Sequence, residues 1–474
     1  MGWLLLVLAI LLLPPLLTEL CCGGDSVAGF LIAEGICLAV GLPVSASLRR
    51  HYARIRRREG FLLVSIVWVA FSLVGMIPFL TGSHPLSLSD AFFETMSGFT
   101  TTGATTIADV ESLSKGLLLW RAMTQWIGGL GIILLVLAIL PSLNERGGVP
   151  MYNAEVTGIT HDKIHPRIRQ TATALWKVYV CLTLILVALL WAGPMDFFDA
   201  LCQALAGIST GGFSTRNAGI AFWDSTYINI VLTIFMFVGG VNFTLIYQAC
   251  RGKWRSLTHN DVFRAYCLIV FAAWILAALT VASGSDAPNG ETLVVQPLFH
   301  VISTITTTGF AIRDIGDFAP LYLAVTIALM LCGACAGSTT GAIKVDRLVA
   351  LSRNLRNEVK LSIHPSRVLP VKVNNRALSR PEISRITAFV SIYILMVMLG
   401  VGALSVFQIE LSDSLFAVVS CLGNNGLGYG LTGAAGGFHL LPDATKWLLA
   451  LMMLIGRLEL FSLFVLLSPS FWRK

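Results

Sequence analysis

The sequence predicts an all-α polytopic membrane protein: four repeats of helix, half-helix, loop and helix, preceded by two extra N-terminal transmembrane helices. Three observations predict it. The first is composition: 55% of the 474 residues are hydrophobic and 12% charged, with mean hydropathy +0.78, where soluble domains carry about 25% charged residues. The second is a polar Thr/Gly motif that recurs four times between apolar segments. The third is the distribution of charge. A net charge of +7 could suggest nucleic acid, but the basic residues gather in particular loops between apolar runs, as the positive-inside rule describes. The expected surroundings are a lipid bilayer, with no nucleic-acid partner.

The first copy of the motif is Ser97-Gly98-Phe99-Thr100-Thr101-Thr102-Gly103-Ala104-Thr105-Thr106. The second is Ile208-Ser209-Thr210-Gly211-Gly212-Phe213, the third Ile305-Thr306-Thr307-Thr308-Gly309-Phe310, and the fourth, more divergent, Leu422-Gly423-Asn424-Asn425-Gly426-Leu427. The glycines recur after 109, 97 and 117 residues (103 to 212 to 309 to 426), a period that fits a repeated membrane module rather than a solenoid. Consecutive Thr residues around a Gly suit an irregular extended backbone. At membrane depth such a backbone is tolerated only where it is buried in protein or lines water. A row of carbonyls turned toward an axis can replace an ion's hydration shell. Thirteen residues before the glycines stand Asp90, Asp199, Gln296 and Asp413, each opening an apolar run. An acidic residue at a helix start satisfies free N–H groups and suits the dipole. Each repeat therefore reads as a short capped helix ending at a Thr/Gly loop, its negative end toward a cation.

Taken in order, residues 3–19 are apolar with Pro14-Pro15 inside. A signal peptide would need a basic leading region and a clear small-residue cleavage site, so a retained helix is expected. Residues 27–47 form a second span, giving an N-terminal pair within 1–48. The basic run Arg49–Arg58 then marks the cytoplasmic side, and both termini fall on that side. The repeats are expected at 61–141, 172–250, 262–350 and 382–471. In the first, 61–80 is the outer helix, 90–99 the half-helix, and 116–140 an inner helix carrying Trp126-Ile127-Gly128-Gly129. The half-helices are shorter than the roughly 20 residues needed to cross a bilayer. Arg146, Lys163, Arg167 and Arg169, then Arg251, Lys253 and Arg255, then the series from Lys344 to Arg380 all fall on the cytoplasmic side. Lys115, Arg216, Arg313 and Lys446 fall outside. Ten cysteines, mostly within apolar runs, do not make a disulfide framework. Cys332 and Cys335 read as small packing residues rather than a zinc or redox pair.

Two stretches depart from plain hydrophobicity. Gly333-Ala334-Cys335-Ala336-Gly337-Ser338-Thr339-Thr340-Gly341-Ala342 interrupts the third inner helix. Such a density of Gly, Ser and Thr is expected to form a movable loop lining a cavity; the competing reading is a helix packed tightly through small residues. The fourth inner helix, 447–467, holds Gly456-Arg457-Leu458-Glu459. An ionisable residue inside a span faces a pathway or a partner. Residues two apart on a helix point away from each other, so Glu459 is expected to pair with a neighbouring helix instead of Arg457. His300, in register with Glu94 and Gln203, reads as a packing residue with its polar atoms satisfied.

Together these residues resemble the membrane subunit of the Trk/Ktr/HKT superfamily of potassium transporters, over nearly the whole chain. The resemblance rests on Ser97–Thr105, Trp126–Gly129, Gly239-Gly240-Val241-Asn242-Phe243, Ala336-Gly337-Ser338-Thr339 with Ile343-Lys344, and Gly456-Arg457. It implies four pseudo-symmetric hairpins around one central pore, with the N-terminal pair typical of Trk-type members. It implies a potassium filter at Thr101, Thr102, Gly103, Thr210, Gly211, Gly212, Thr307, Thr308, Gly309, Asn424, Asn425 and Gly426. It implies a gate at Gly333, Gly337, Ser338, Thr339 and Gly341, with Arg457 facing the pore below the filter. It further implies potassium as the transported ligand with no covalent cofactor, a homodimer in the cytoplasmic membrane, and a cytosolic nucleotide-binding regulatory subunit of the TrkA kind. The chain has no Gly-rich βαβ unit of its own. A sodium-preferring or poorly selective pathway, possibly an ion-coupled symporter, is the alternative on the same fold; in the family a serine in the first filter accompanies sodium preference. A membrane enzyme would call for His/Asp/Glu clusters within spans, and only isolated ones occur.

Overall fold

The computed structural model describes residues 1–48, 57–131, 168–284, 290–433 and 436–473. Most of the basic run at 49–58, and Arg146, Lys163 and Arg167, lie outside them, as does the expected continuation of the first inner helix through 132–140. Among the described residues six helices are long and apolar enough to cross a membrane: Gly2–Cys22, Val27–Ser47, Arg58–Leu80, Gln170–Trp191, Asp261–Ala282 and Arg380–Val406. The later ones leave large apolar side chains exposed, Leu184, Leu268 and Met398 among them, a face suited to lipid rather than water.

The N-terminal pair, Gly2–Cys22 and Val27–Leu48, turns at Gly23, whose φ is 68°. Glu19 is fully buried at that turn and accepts from Ser26 N (2.9 Å) and Gly116 N (3.0 Å). A helix start has free N–H groups and partial positive charge, so this carboxylate pins the pair to the first inner helix.

The chain then runs four times through the same elements. The outer helices are Arg57–Gly75, Ile168–Trp191, Asp261–Gly284 and Arg380–Val406. The half-helices are Leu88–Phe99, Phe197–Ile208, Gln296–Ile305 and Leu411–Leu422. A 12-residue helix spans about 18 Å of a roughly 30 Å hydrocarbon core, so each stops partway. Their starts differ in detail from expectation. Ser87 and Asp196 are the capping residues and bond the N–H of Asp90 and Asp199, placing those carboxylates in the first turn rather than at the cap. Gln296 follows a π-helical turn, Glu291–Val295, and neither the third nor the fourth half-helix has a side-chain cap bond.

The inner helices are Lys115–Gly129, Thr226–Gly239, Pro320–Cys332 and Asp443–Arg457. Only the third was expected to break, and this is corrected: all four stop at a comparable level. The first ends before Gly131 (φ 92°). The second bends by 104° before Phe243–Cys250, which Asn242 caps through Thr244 N at 2.8 Å. The third stops at Gly333 (φ 67°) and resumes as Val345–Ile363. The fourth, expected to continue to 467, stops at Arg457. Glu459 and Leu460 take φ 51° and 53° before Phe461–Leu467. One small departure from all-α is an antiparallel hairpin, Lys372–Val373 with Arg376–Ala377. Arg353 ties it to the third outer helix by pairing with Asp261 at 2.8 Å.

Candidate functional site

Each half-helix ends four residues before its glycine, and the loops that follow share one backbone. Thr101, Thr210, Thr307 and Asn424 have φ of 55°, 53°, 53° and 53°; Gly103, Gly212, Gly309 and Gly426 have 84°, 81°, 80° and 79°. A β-branched residue at positive φ is an outlier and persists only where its surroundings hold it. The same bonds hold it in every copy. Thr102 N, Gly211 N, Thr308 N and Asn425 N reach back to Ser97 O, Ala206 O, Ser303 O and Ser420 O at 2.8, 2.9, 2.8 and 2.8 Å.

The four loops close into a ring. A Cβ on Gly103 would lie 2.1 Å from Gly211 O, one on Gly212 2.0 Å from Thr308 O, one on Gly309 2.1 Å from Asn425 O, and one on Gly426 2.0 Å from Thr102 O. Each glycine thus faces the backbone of the next repeat, and the fourth returns to the first. Positive φ and this close approach both demand glycine.

Side chains brace the seams. Gln125, from the first inner helix, donates to Gly211 O (2.6 Å) and accepts from Phe213 N (3.1 Å). Asn425 donates to Thr304 O (2.7 Å), and Asn424 to Thr102 Oγ1 (3.0 Å) and Met453 O (2.9 Å). The two asparagines are fully buried. Their amide groups tie the fourth loop to the third and first modules, while its backbone matches the Thr-bearing copies.

On one side of the ring the four glycines open on a cavity of about 510 Å³, also lined by Arg216, Arg313, Asp314 and His439. Above the first two loops Asn217 donates to Asp109 (2.7 Å) and holds its carboxyl below the ordinary value. Ion pairs form there between Arg216 and Asp199 (2.9 Å) and between Lys446 and Asp90 (2.7 Å). On the other side lies the broken third helix. Its loop includes Gly337, Ser338 and Thr339 and extends past the expected 342 to Lys344 (φ 77°). Thr210 Oγ1 donates to Thr339 Oγ1 (3.0 Å), and Gly341 N to Thr307 Oγ1 (3.0 Å). The second module's break holds it too, through Asn242 to Ala336 O (2.8 Å) and Phe243 N to Gly337 O (3.0 Å). Gly333 and Gly341 sit face to face at its ends.

Arg457 reaches the same place. It donates to Thr101 Oγ1 (3.0 Å), Thr339 O (2.9 Å), Gly128 O (2.6 Å) and Gly129 O (2.8 Å), a cation at the end of the first inner helix as the dipole favours. Glu459 turns away and pairs with Lys344 (3.1 Å) and Arg347. His300 packs its ring among Phe299, Phe318 and Tyr322, but its Nε2 is buried without a hydrogen-bond partner among the described residues, so the expected satisfied histidine is corrected to a packed one. The sequence did not single out Arg121 or Gln125, and Asn242 entered only as part of the Gly239–Phe243 motif. Arg121 and Gln125 carried a signal: two polar residues four apart share one helix face in an otherwise apolar run. Among the described residues no group of three or more His, Cys, Asp or Glu could hold a metal ion.

A family model described as TrkH, cation transport protein, matches residues 29–474. The Trk system potassium uptake protein TrkH of Escherichia coli (strain K12) is 37% identical over 446 residues, covering 93% of this chain and 91% of that protein. TrkH of Vibrio parahaemolyticus serotype O3:K6 is 36% identical, covering 100% and 98%. The crystal structure of the potassium transporter TrkH from Vibrio parahaemolyticus superposes with TM-score 0.90 at 32% identity, over 100% of this chain and 98% of that one.

Proposed function

The chain belongs to the TrkH family of cation transport proteins, and on that premise we propose that it takes up potassium across the cytoplasmic membrane through the ring of four Thr/Gly loops. The observation that supports this most is the closed cycle of glycines, each packed on the backbone of the next repeat. A backbone held that firmly can present carbonyls in place of an ion's hydration shell. Glycine at all four positions favours potassium over the sodium-preferring alternative. The filter residues are those named from sequence, and we take 61–141, 172–250, 262–350 and 382–471 as the four modules behind the pair within 1–48. The loop at 333–342 and Arg457 form the gate. The protein acts by transport rather than catalysis, with no covalent cofactor, as a homodimer with both termini cytoplasmic. A cytosolic nucleotide-binding subunit of the TrkA kind drives the loop aside.

Ion flux into proteoliposomes tests this, with potassium and sodium competing against rubidium under set voltage and pH gradients. Strong competition by potassium and weak competition by sodium is expected. Equal competition would move the assignment to a poorly selective pathway, and dependence of flux on the proton or sodium gradient would add symport.

The basic segments at 143–170 and 344–381 are the expected docking rim, since charged rims steer association; residues 143–167 of the first lie outside the described residues. Arg353 is engaged with Asp261, so reversing it would disturb the fold as well. Arg356 and Lys360 are exposed. Arg356→Glu with Lys360→Glu is expected to weaken binding of the cytosolic subunit in pull-down assays while leaving light scattering of the transporter unchanged. Unaltered binding would leave this segment as a topology signal alone.

A further inference from the structure

Between the first and second loops, at the edge of the cavity that Arg121 and Thr105 help to line, lies a buried ion pair to which neither the filter loops nor the gate has yet given a part. Glu94, on the first half-helix, is 1% exposed, and Arg121, on the first inner helix, 2%. Arg121 Nε donates to Glu94 Oε1 at 2.8 Å. Glu94 also accepts from Thr105 Oγ1 (3.0 Å) and Thr106 N (3.0 Å), just beyond the first filter glycine. Arg121 reaches across the seam, donating to Ser214 O at 3.0 Å and to Thr105 Oγ1 at 3.2 Å, and its guanidinium lies 4.2 Å over the Phe213 ring. Thr105 and Ser214 each stand two residues past their glycine. One buried fork therefore ties together the two strands that leave neighbouring filter loops.

The equivalent positions grade away from this. Nine residues before each glycine stand Glu94, Gln203, His300 and Ala417. Gln203 donates to Ser214 Oγ at 2.8 Å, inside its own module. His300 meets aromatic rings, and Ala417 has no polar group to offer. Among these four equivalent positions only the first carries an ion pair, which the packing of a symmetric ring would not require; the fourth and first modules are joined by a different pair, Lys446 with Asp90. A buried pair is weak evidence for stability, since its desolvation offsets much of the attraction, but its forked geometry fixes distance and direction.

We infer that Glu94 and Arg121 are positioning residues of the filter: together they set the spacing of the first and second loops at the cavity mouth, and through it the preference for potassium over sodium. This rests on the reading of the four loops as a filter. The test uses the full-length protein in proteoliposomes and reads the ratio of rubidium to sodium transport, which does not depend on how much protein folds. Arg121→Lys keeps the charge but loses the fork. Glu94→Gln with Arg121→Gln removes both charges together and leaves no lone buried ion. Both are expected to lower the ratio by about tenfold. Gly103→Ser is measured beside them. An altered ratio in Gly103→Ser with an unchanged ratio in both clamp variants would overturn the clamp alone; no change in any of the three would remove the filter reading with it. Loss of folded protein in both clamp variants would assign the pair to fold stability and equally overturn the positioning role.

Discussion

Replacing Gly103 or Gly309 with serine is expected to remove most of the preference for potassium over sodium. The new Cβ would stand 2.1 Å from Gly211 O in the first case and 2.1 Å from Asn425 O in the second. Both obstacles are backbone atoms, so no side chain can swing aside. Both glycines also hold φ near 80°, a region that L side chains rarely adopt. The loop must shift, and because the ring is closed the shift passes to the neighbouring loop. A change of about 1.4 kcal/mol in relative affinity is already tenfold, and a carbonyl cage depends on its geometry, so a drop of more than about tenfold is expected. Competitive rubidium uptake against sodium, normalised to folded protein by size-exclusion chromatography, reads it. Selectivity unchanged in both variants would take these glycines out of the filter.

Arg457→Ala is expected to raise flux in the absence of the cytosolic subunit. The side chain lies between Thr101 and the carbonyl of Thr339, so below the proposed filter it would oppose a cation in two ways. Two unit charges about 4 Å apart at an effective dielectric of about 20 repel by ~4 kcal/mol, enough for a rise of about tenfold or more when the charge is removed. The arginine also tethers the loop, and deleting Gly337-Ser338-Thr339 should raise flux for that reason. Stability moves the other way, because buried carbonyls left unpaired at Gly128 and Gly129 cost about 1–3 kcal/mol each. Arg457→Lys separates the two contributions. It keeps the charge but not the fork, so low flux in this variant means repulsion dominates and a leak means tethering dominates. Well-folded protein with flux no higher than wild type in both the alanine and the deletion variants would reject this gate. Arg457 would then be a structural tie between the first and fourth modules.

Much of the fold was legible because it follows from local chemistry. The long apolar outer helices announce themselves by hydropathy. The half-helices are bounded by polar residues at one end and a Thr/Gly motif at the other, so their length could be read to within a few residues. The four loop glycines were legible because positive φ and close backbone approach leave no other residue, and four copies in register make chance repetition untenable. The third break was legible for the same reason, its glycines being dense enough to exclude a regular helix.

Other features were invisible from the chain alone. The fourth inner helix breaks at Leu458-Glu459-Leu460, where nothing in the composition forbids a helix. Glu459 gains Lys344 and Arg347 there, 115 and 112 residues away in sequence. The second breaks at Gly240 to Asn242 because the loop of the third module takes up its freed groups. The asparagines of the fourth loop stood out in sequence as a departure from Thr-Thr; their side-chain amides donate to Thr102, Met453 and Thr304 of neighbouring elements. Arg121 and Gln125 sit on one helix and donate to the Thr/Gly loop of the next module.

Local backbone preference and hydropathy were therefore enough to determine from the sequence the long apolar helices, where the half-helices stop, and which four glycines define the loops. The tertiary structure alone decided how the loops close on one another, which charges pair, and that every inner helix ends near the same level. Those outcomes depend on hydrogen-bond partners supplied by other modules, and a buried polar group is satisfied by whatever stands beside it in space, whose position the local sequence does not encode.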